Sequence, residues 1–267
     1  MKGKISITLN ERVLRDIDGS IDGLYVRNRS QAIERLVLQG LGERKTAVIL
    51  AGGPVEDLRV GAGFAPTTRV GKMTVVELAA KKLRESGFRH LVIVARHPVL
   101  TAIFSVLGDG AGFGISVTYV EEKASEGTAD SLRLLRGRLS GSFLVVYSDI
   151  LFPRISLEAL WADHRRQGGI ATIMLTTSAK PSEKGTVVME GNKVLSFIQK
   201  PRVSDVYLVF SPIFCASDEI FDEPGSSLER QVFPQLAKKG LLFGHLSSQK
   251  ESHVHSSEDV RRLAGKK

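Results

Sequence analysis

Four places in this 267-residue sequence carry residue types and spacings that could do chemistry. Leu50-Ala51-Gly52-Gly53 ends an apolar run with a glycine pair, Glu126-Gly127-Thr128-Ala129 opens a helical period, and Tyr147-Ser148-Asp149 sets a carboxylate behind another apolar run. His253 and His255 are two residues apart, a spacing that puts both imidazoles on one face of an extended segment. With Asp149 nearby, that pair could hold a transition metal. Each feature also has a plainer reading. A glycine pair after a strand is often a turn, a strand-terminal Asp is often a helix cap, and the two histidines read first as a coincidence on a surface loop. His90, His97 and His164 have no companions at ligand spacing and read as surface or helix-end residues, and Cys215, alone and flanked by apolar residues, reads as core.

The elements that must position these residues follow from the hydrophobic periods. Strand-like runs at Thr46 to Ala51, Leu91 to Ala95, Ile115 to Val120 and Phe143 to Ser148 alternate with helical periods. That alternation predicts an α/β domain with a mostly parallel sheet covered by helices. Ligands in such folds bind at the carboxyl ends of the strands, so the three motifs are expected to converge on one cleft.

The first forty-odd residues follow another pattern. Lys4-Ile5-Ser6-Ile7-Thr8-Leu9 alternates polar and apolar, which predicts a strand with Ile5, Ile7 and Leu9 on one face. Asn10 is placed to cap a helix carrying Val13, Leu14 and Ile17, and Ser30 to cap a second helix with Ala32, Ile33, Leu36, Val37 and Leu41 on its apolar stripe. So short a segment buries little alone, which predicts a homodimer or a tetramer built from dimers. The domain boundary is expected between residues 44 and 45.

The whole chain is 42% hydrophobic and 25% charged, with a formal net charge of +8. These values exclude disorder, and the charge favours a polyanionic partner. Its apolar runs are strand-sized and no signal peptide is evident, so the expected location is the cytoplasm, with no membrane partner.

Two family resemblances sharpen this reading. Residues 3 to 42, with Asn28-Arg29-Ser30-Gln31-Ala32-Ile33 between the helices, resemble the ribbon-helix-helix DNA-binding family. That resemblance implies double-stranded DNA as partner, with Lys4, Ser6 and Thr8 in the major groove and Arg29 and Ser30 against a phosphate. From about Thr46 to about Leu263 the chain resembles the sugar-1-phosphate nucleotidyltransferases. Besides the three strand-end motifs, the likeness rests on Val194-Leu195-Ser196-Phe197-Ile198-Gln199-Lys200-Pro201, Val209-Phe210-Ser211-Pro212 and Ser226-Ser227-Leu228-Glu229-Arg230-Gln231-Val232-Phe233-Pro234. It implies a three-layer, Rossmann-like mixed sheet of the GT-A type. Gly52, Gly53, Gly127 and Thr128 would then face the nucleotide, Lys200 the sugar, and Asp149 a metal, with Mg²⁺ and a nucleotide as the implied cofactor and ligand.

The sequence departs from that family at several positions. After the glycine pair the family has any residue, then Gly-Thr-Arg, whose arginine grips the triphosphate; here Pro54 is followed by Val55-Glu56-Asp57. Arg59 and Lys72 are the nearest replacement cations and the catalytic candidates. The sugar-side Glu-Lys-Pro appears as Gln199-Lys200-Pro201, the Asn-Ala-Gly stretch as Ser204-Asp205-Val206, and the second metal aspartate's Asp-x-Gly as His253-Val254-His255. The resulting expectation is a DNA-binding transcriptional regulator whose transferase-like domain has impaired catalysis, a pseudoenzyme that senses a nucleotide or sugar nucleotide or mediates assembly. The alternatives are an active sugar-1-phosphate nucleotidyltransferase with a ribbon-helix-helix appendage, and a structural oligomerisation protein.

Overall fold

A computed structural model describes residues 6–21, 26–40 and 45–264. The chain divides into two compact units, Met1–Arg44 and Lys45–Lys267.

In the first unit, α1 (Glu11–Gly19) is capped by Asn10, whose Oδ1 accepts the Val13 N–H at 2.9 Å. The second helix, α2, spans Arg29–Gly40. Its cap is Asn28 rather than Ser30. Asn28 Oδ1 takes the Gln31 N–H at 3.0 Å, so Ser30 lies inside the first turn. Ile17, Val26 and Ala32 are buried together, with Leu9, Ile21 and Ile33 packed on them. Ser6 to Leu9 form no strand, and a lone extended segment has no ladder partner among the described residues of one chain. Lys4 and Ile5 lie outside the described residues.

The second unit is built on strand β1 (Thr46–Ala51), followed by two short hairpins, β2 (Arg59–Val60) with β3 (Gly63–Phe64) and β4 (Arg69–Val70) with β5 (Met73–Thr74). Then come α3 (Val75–Glu85), β6 (His90–Ala95), α4 (His97–Leu107), β7 (Ser116–Glu121), α5 (Thr128–Arg133), β8 (Ser142–Tyr147), β9 (Ile150–Leu151) and α6 (Leu157–Gln167). The remainder comprises β10 (Ala171–Thr177), β11 (Gly185–Glu190), β12 (Lys193–Gln199), β13 (Leu208–Ser217), α7 (Phe233–Lys239), β14 (Leu242–Leu246), β15 (Ser252–His253) and α8 (Ser257–Ala264). Nine strands form one mixed sheet in the order β10-β14-β12-β11-β13-β8-β1-β6-β7. Strands β8, β1, β6 and β7 run parallel, and β13 joins β8 antiparallel.

Strand period alone assigns the two faces of β1. Ala47, Ile49 and Ala51 pack with Val76, Leu83, Ile103 and Trp161 from α3, α4 and α6. Val48 and Leu50 pack with Leu132, Phe233 and Leu236 from α5 and α7. The sheet is therefore covered on both faces, as continuous apolar strands require. No described helix is long and apolar enough to cross a membrane.

Candidate functional site

The parallel strands all end on one edge, and there the structure joins the three motifs. Gly52 and Gly53 follow β1, and the Gly53 N–H donates to Glu122 Oε1 at 2.9 Å just past the end of β7. Glu122 is buried and fully engaged, since it also accepts from Ser125 Oγ and, at 2.6 Å, from Ser131 Oγ of α5. A Cβ at Gly52 would lie 1.9 Å from Glu122 Oε2, so only glycine fits above this carboxylate. Gly53 is held at φ 93°, a left-handed conformation that glycine adopts at least cost.

Gly127 is required for a different reason: a Cβ there would meet the Ser226 carbonyl oxygen at 2.7 Å. That same carbonyl accepts the N–H groups of Ala129 and Asp130, which opens α5. The Thr128 hydroxyl is already committed. It donates to Glu229 Oε2 at 2.7 Å and accepts the Leu228 N–H at 2.9 Å. Glu229 also takes a short hydrogen bond from the Tyr147 hydroxyl. Burial, and then the Glu229 carboxylate, hold the Tyr147 phenol well above its usual pKa. This Thr128–Glu229–Tyr147 network ties α5 to the end of β8. It was not legible in advance, because its members are 82 and 101 residues apart in sequence.

Asp149 lies two residues beyond β8, and β15 closes over it. His253 pairs with Ile150 in the β15–β9 ladder, and the Val254 N–H donates to the Asp149 carbonyl at 2.8 Å. Val254, fully buried beside Val75 and Leu151, pins the segment. The two flanking imidazoles therefore meet the carboxylate. His253 Nδ1 is 3.7 Å and His255 Nδ1 3.4 Å from Asp149 Oδ2, and the rings stack with centroids 5.2 Å apart. The surface-loop coincidence expected for His253 and His255 is thus corrected: ladder pairing and a buried valine place both at the cleft. Although burial opposes it, the Asp149 and Glu251 carboxylates raise the His253 pKa to about 9.

Behind His253 lies Glu251, a buried carboxylate that no sequence pattern pointed to. Its Oε1 accepts Lys184 Nζ at 2.6 Å and faces His253 Nε2 at 3.2 Å, and its Oε2 accepts Ser211 Oγ at 2.7 Å. Burial works against the charged form, yet these three partners hold Glu251 well below the usual carboxylate range. Lys200 connects to the same edge through its backbone, its N–H donating to the Lys184 carbonyl at 3.0 Å. It is exposed with φ 46°, the only non-glycine in the left-handed region among the described residues. Such a conformation costs energy in a residue with a Cβ.

The catalytic candidates lie in the two hairpins that follow β1. Arg59 stacks its guanidinium on Phe64 across the β2–β3 hairpin, 5.5 Å from the ring centroid. Lys72 is exposed in the β4–β5 turn. Glu56 and Asp57 are both exposed in the loop after β1. In the first unit, Ser6, Thr8 and Ser30 are exposed, whereas Arg29 is committed to Asp18 through bonds of 2.6 and 2.7 Å that join α2 to α1.

Comparison with known proteins gives this edge its context. The sequence model of the nucleotidyl transferase family matches residues 46–241. The chain is 32% identical over 215 residues to the mannose-1-phosphate guanylyltransferase catalytic subunit beta of Xenopus tropicalis, covering 74% of this chain and 57% of that protein. It is 36% identical over 143 residues to the protein of the same name from Dictyostelium discoideum, covering 49% of this chain and 38% of that one. A crystal structure of a Bacillus anthracis protein assigned as a glucose-1-phosphate thymidylyltransferase, solved with sucrose, superposes with a TM-score of 0.73. It is 19% identical, over 82% of this chain and 94% of that one. The chain therefore spans little more than half the length of the Xenopus relative, and less of the Dictyostelium one.

These findings overturn the expectation of a DNA-binding regulator. The relatives are named as mannose-1-phosphate guanylyltransferases, and the family model matches within the second unit. Arg29, expected against a DNA phosphate, instead donates to Asp18. With the family pattern running through β1, the glycine pair, Asp149 and on into α7, this chain belongs to the nucleotidyl transferase family.

Proposed function

We propose that residues 45–267 form a sugar-1-phosphate nucleotidyltransferase. The observation that carries this reading is the shared carboxyl edge of β1, β7 and β8, where Gly52, Gly53, Gly127 and Thr128 are held through Glu122, Ser131 and Glu229, and Asp149 follows β8 on the same edge. In this reading an oxygen of the sugar phosphate attacks the α-phosphorus of a nucleoside triphosphate. A P–O bond forms to the incoming phosphate as the bridge to pyrophosphate breaks.

Each residue's contribution follows from its surroundings. Gly52 and Gly53 present bare backbone to the nucleotide, since a side chain at either is sterically or conformationally excluded. Thr128 acts through Glu229, holding the Gly127 segment in place rather than offering a free hydroxyl. Lys200, on strained backbone, supplies a cation toward the sugar phosphate. Asp149 would supply a carboxylate oxygen to the divalent cation that accompanies the triphosphate. When bound, that ion neutralises charge on the phosphates.

The names of the relatives make GTP with mannose 1-phosphate the first pair to test. Pyrophosphate release is expected for at least one triphosphate and sugar-1-phosphate pair, lost in Lys200→Ala. Release no greater than in sugar-free controls, across all four triphosphates and a panel of hexose 1-phosphates, would sink the reading.

A further inference from the structure

We propose that Asp149, His253 and His255 form a binding site selective for a first-row transition cation, Zn²⁺ or Co²⁺, over Mg²⁺. Three potential ligand atoms, one carboxylate oxygen and two imidazole nitrogens, lie within 4.8 Å of one another. Two atoms bound to one tetrahedral ion with bonds of about 2.0–2.1 Å are about 3.3 Å apart. The observed separations of 3.4 and 3.7 Å from Asp149 Oδ2 need only a few tenths of an ångström of closure.

Two further features make this a built site. The first is an orphan: His253 Nδ1 is buried yet makes no hydrogen bond, with Asp149 Oδ2 beyond hydrogen-bond reach at 3.7 Å. A buried polar atom without a partner is costly, and an ion bridging to Asp149 would satisfy it. The second is the support behind it. Glu251 faces His253 Nε2 at 3.2 Å and is itself fixed by Lys184 and Ser211. An incoming ion must displace the proton that the neighbouring carboxylates keep on His253; once it has, a carboxylate that takes the other ring N–H fixes the tautomer and turns the Nδ1 lone pair toward the metal, the usual arrangement behind a metal-binding histidine.

The donor set decides which ion is preferred. Imidazole suits Zn²⁺, Co²⁺ and related ions, whereas Mg²⁺ demands oxygen ligands in near-octahedral array. Here the oxygen donor is a single carboxylate. His255 is largely exposed, so the outer side of the ion stays open to water or a phosphate oxygen. The site shares its cleft with the transfer reading, but its evidence is the donor geometry alone.

An untagged chain of residues 1–267, stripped with a chelator, should be titrated with Co²⁺ while its visible ligand-field bands are followed, then with Zn²⁺ and Mg²⁺ as competitors. One equivalent of Co²⁺ should bind, displaced by Zn²⁺, with Mg²⁺ weaker by roughly 100-fold or more. His255→Ala removes an exposed ligand without touching the core, so its thermal unfolding should match the parent while Co²⁺ affinity falls by at least about tenfold. His253→Asp, which sets a second carboxylate at the site, should narrow the gap between Co²⁺ and Mg²⁺. Mg²⁺ binding as tightly as Co²⁺, or Co²⁺ affinity unchanged in a folded His255→Ala, would overturn the proposal. Because the readout is ion binding, its failure leaves the transfer reading standing, and a failed pyrophosphate assay leaves this one standing.

Discussion

Gly52 and Gly53 sit side by side after β1 and would respond differently to one added methyl group. At Gly52 the methyl collides with Glu122, a buried carboxylate already engaged by three donors, so Gly52→Ala must displace it and leave those donors unmet. A loss of roughly 2–3 kcal/mol is expected in denaturant unfolding. At Gly53 no atom lies within 4 Å of the added carbon, and the cost is the left-handed backbone, about 1 kcal/mol. Equal stability losses in the two variants would show that Glu122 does not hold the loop. Asp57 poses a separate question of charge. It is exposed where the family carries an arginine, and Asp57→Arg is expected to lower the KM for the triphosphate about tenfold, with solvent screening limiting the gain. An unchanged KM would mean that the polyphosphate does not pass this loop. At this scale the sequence revealed the glycines and Asp149, because turn and strand-end positions leave a local signature. Glu122, Glu229 and Glu251 left none, since a buried carboxylate is defined by partners distant in sequence.

Strands β1, β6, β7 and β8 could be read to within a residue of their observed limits; β1, β6 and β8 are continuous apolar runs that must be buried on both faces, whereas β7, at the sheet edge, is only partly buried. Helix starts were harder. Asn28 and Ser30 are both good caps, and only the observed Asn28 to Gln31 bond decides between them. The start of α3 offers a cleaner test. Thr74 and Glu77 form a reciprocal capping box, so Thr74→Ala is expected to cost about 1 kcal/mol in chemical denaturation, with Thr74→Ser recovering most of it. Helix α6 carries a pH response. His164 stands at the helix end, one of the two placements expected for it, and is buried against Thr172; burial and then Arg165 lower its pKa to about 4. Between pH 6.5 and about 4 the unfolded chain binds a proton that the folded chain does not, so stability falls as pH drops through that window and is unaffected above it. The loss from this group between pH 6.5 and 5 is expected to be roughly 2 kcal/mol. His164→Gln keeps a hydrogen-bonding group for Thr172 and should flatten that part of the urea midpoint against pH; an unaltered slope would assign the effect to other groups.

Among the described residues, buried apolar side chains fall into four clusters, and each draws on one unit only. Ile17, Val26 and Ala32 make the small one, whereas the two that cover the sheet and the one beneath α8 come entirely from residues after 45. Cooperative unfolding follows shared cores, so the second unit contains what it needs to fold. The net charge of +8 fits this division without a nucleic acid, because a positive molecule also steers triphosphates and sugar phosphates toward its surface. Residues 45–267 expressed alone are therefore expected to keep a single cooperative thermal transition within about 3 °C of the second unit's transition in the full chain, a shift equivalent to about 1 kcal/mol in a domain of this size. They should also keep whatever pyrophosphate release the full chain shows. A truncated protein that melts normally but loses turnover would make the first 44 residues a functional partner of the cleft, acting on the reaction rather than on the fold. A truncated protein that fails to fold would mean that the apparent division of the cores hides a dependence between the units, and the assignment of the transferase to residues 45–267 would have to be redrawn.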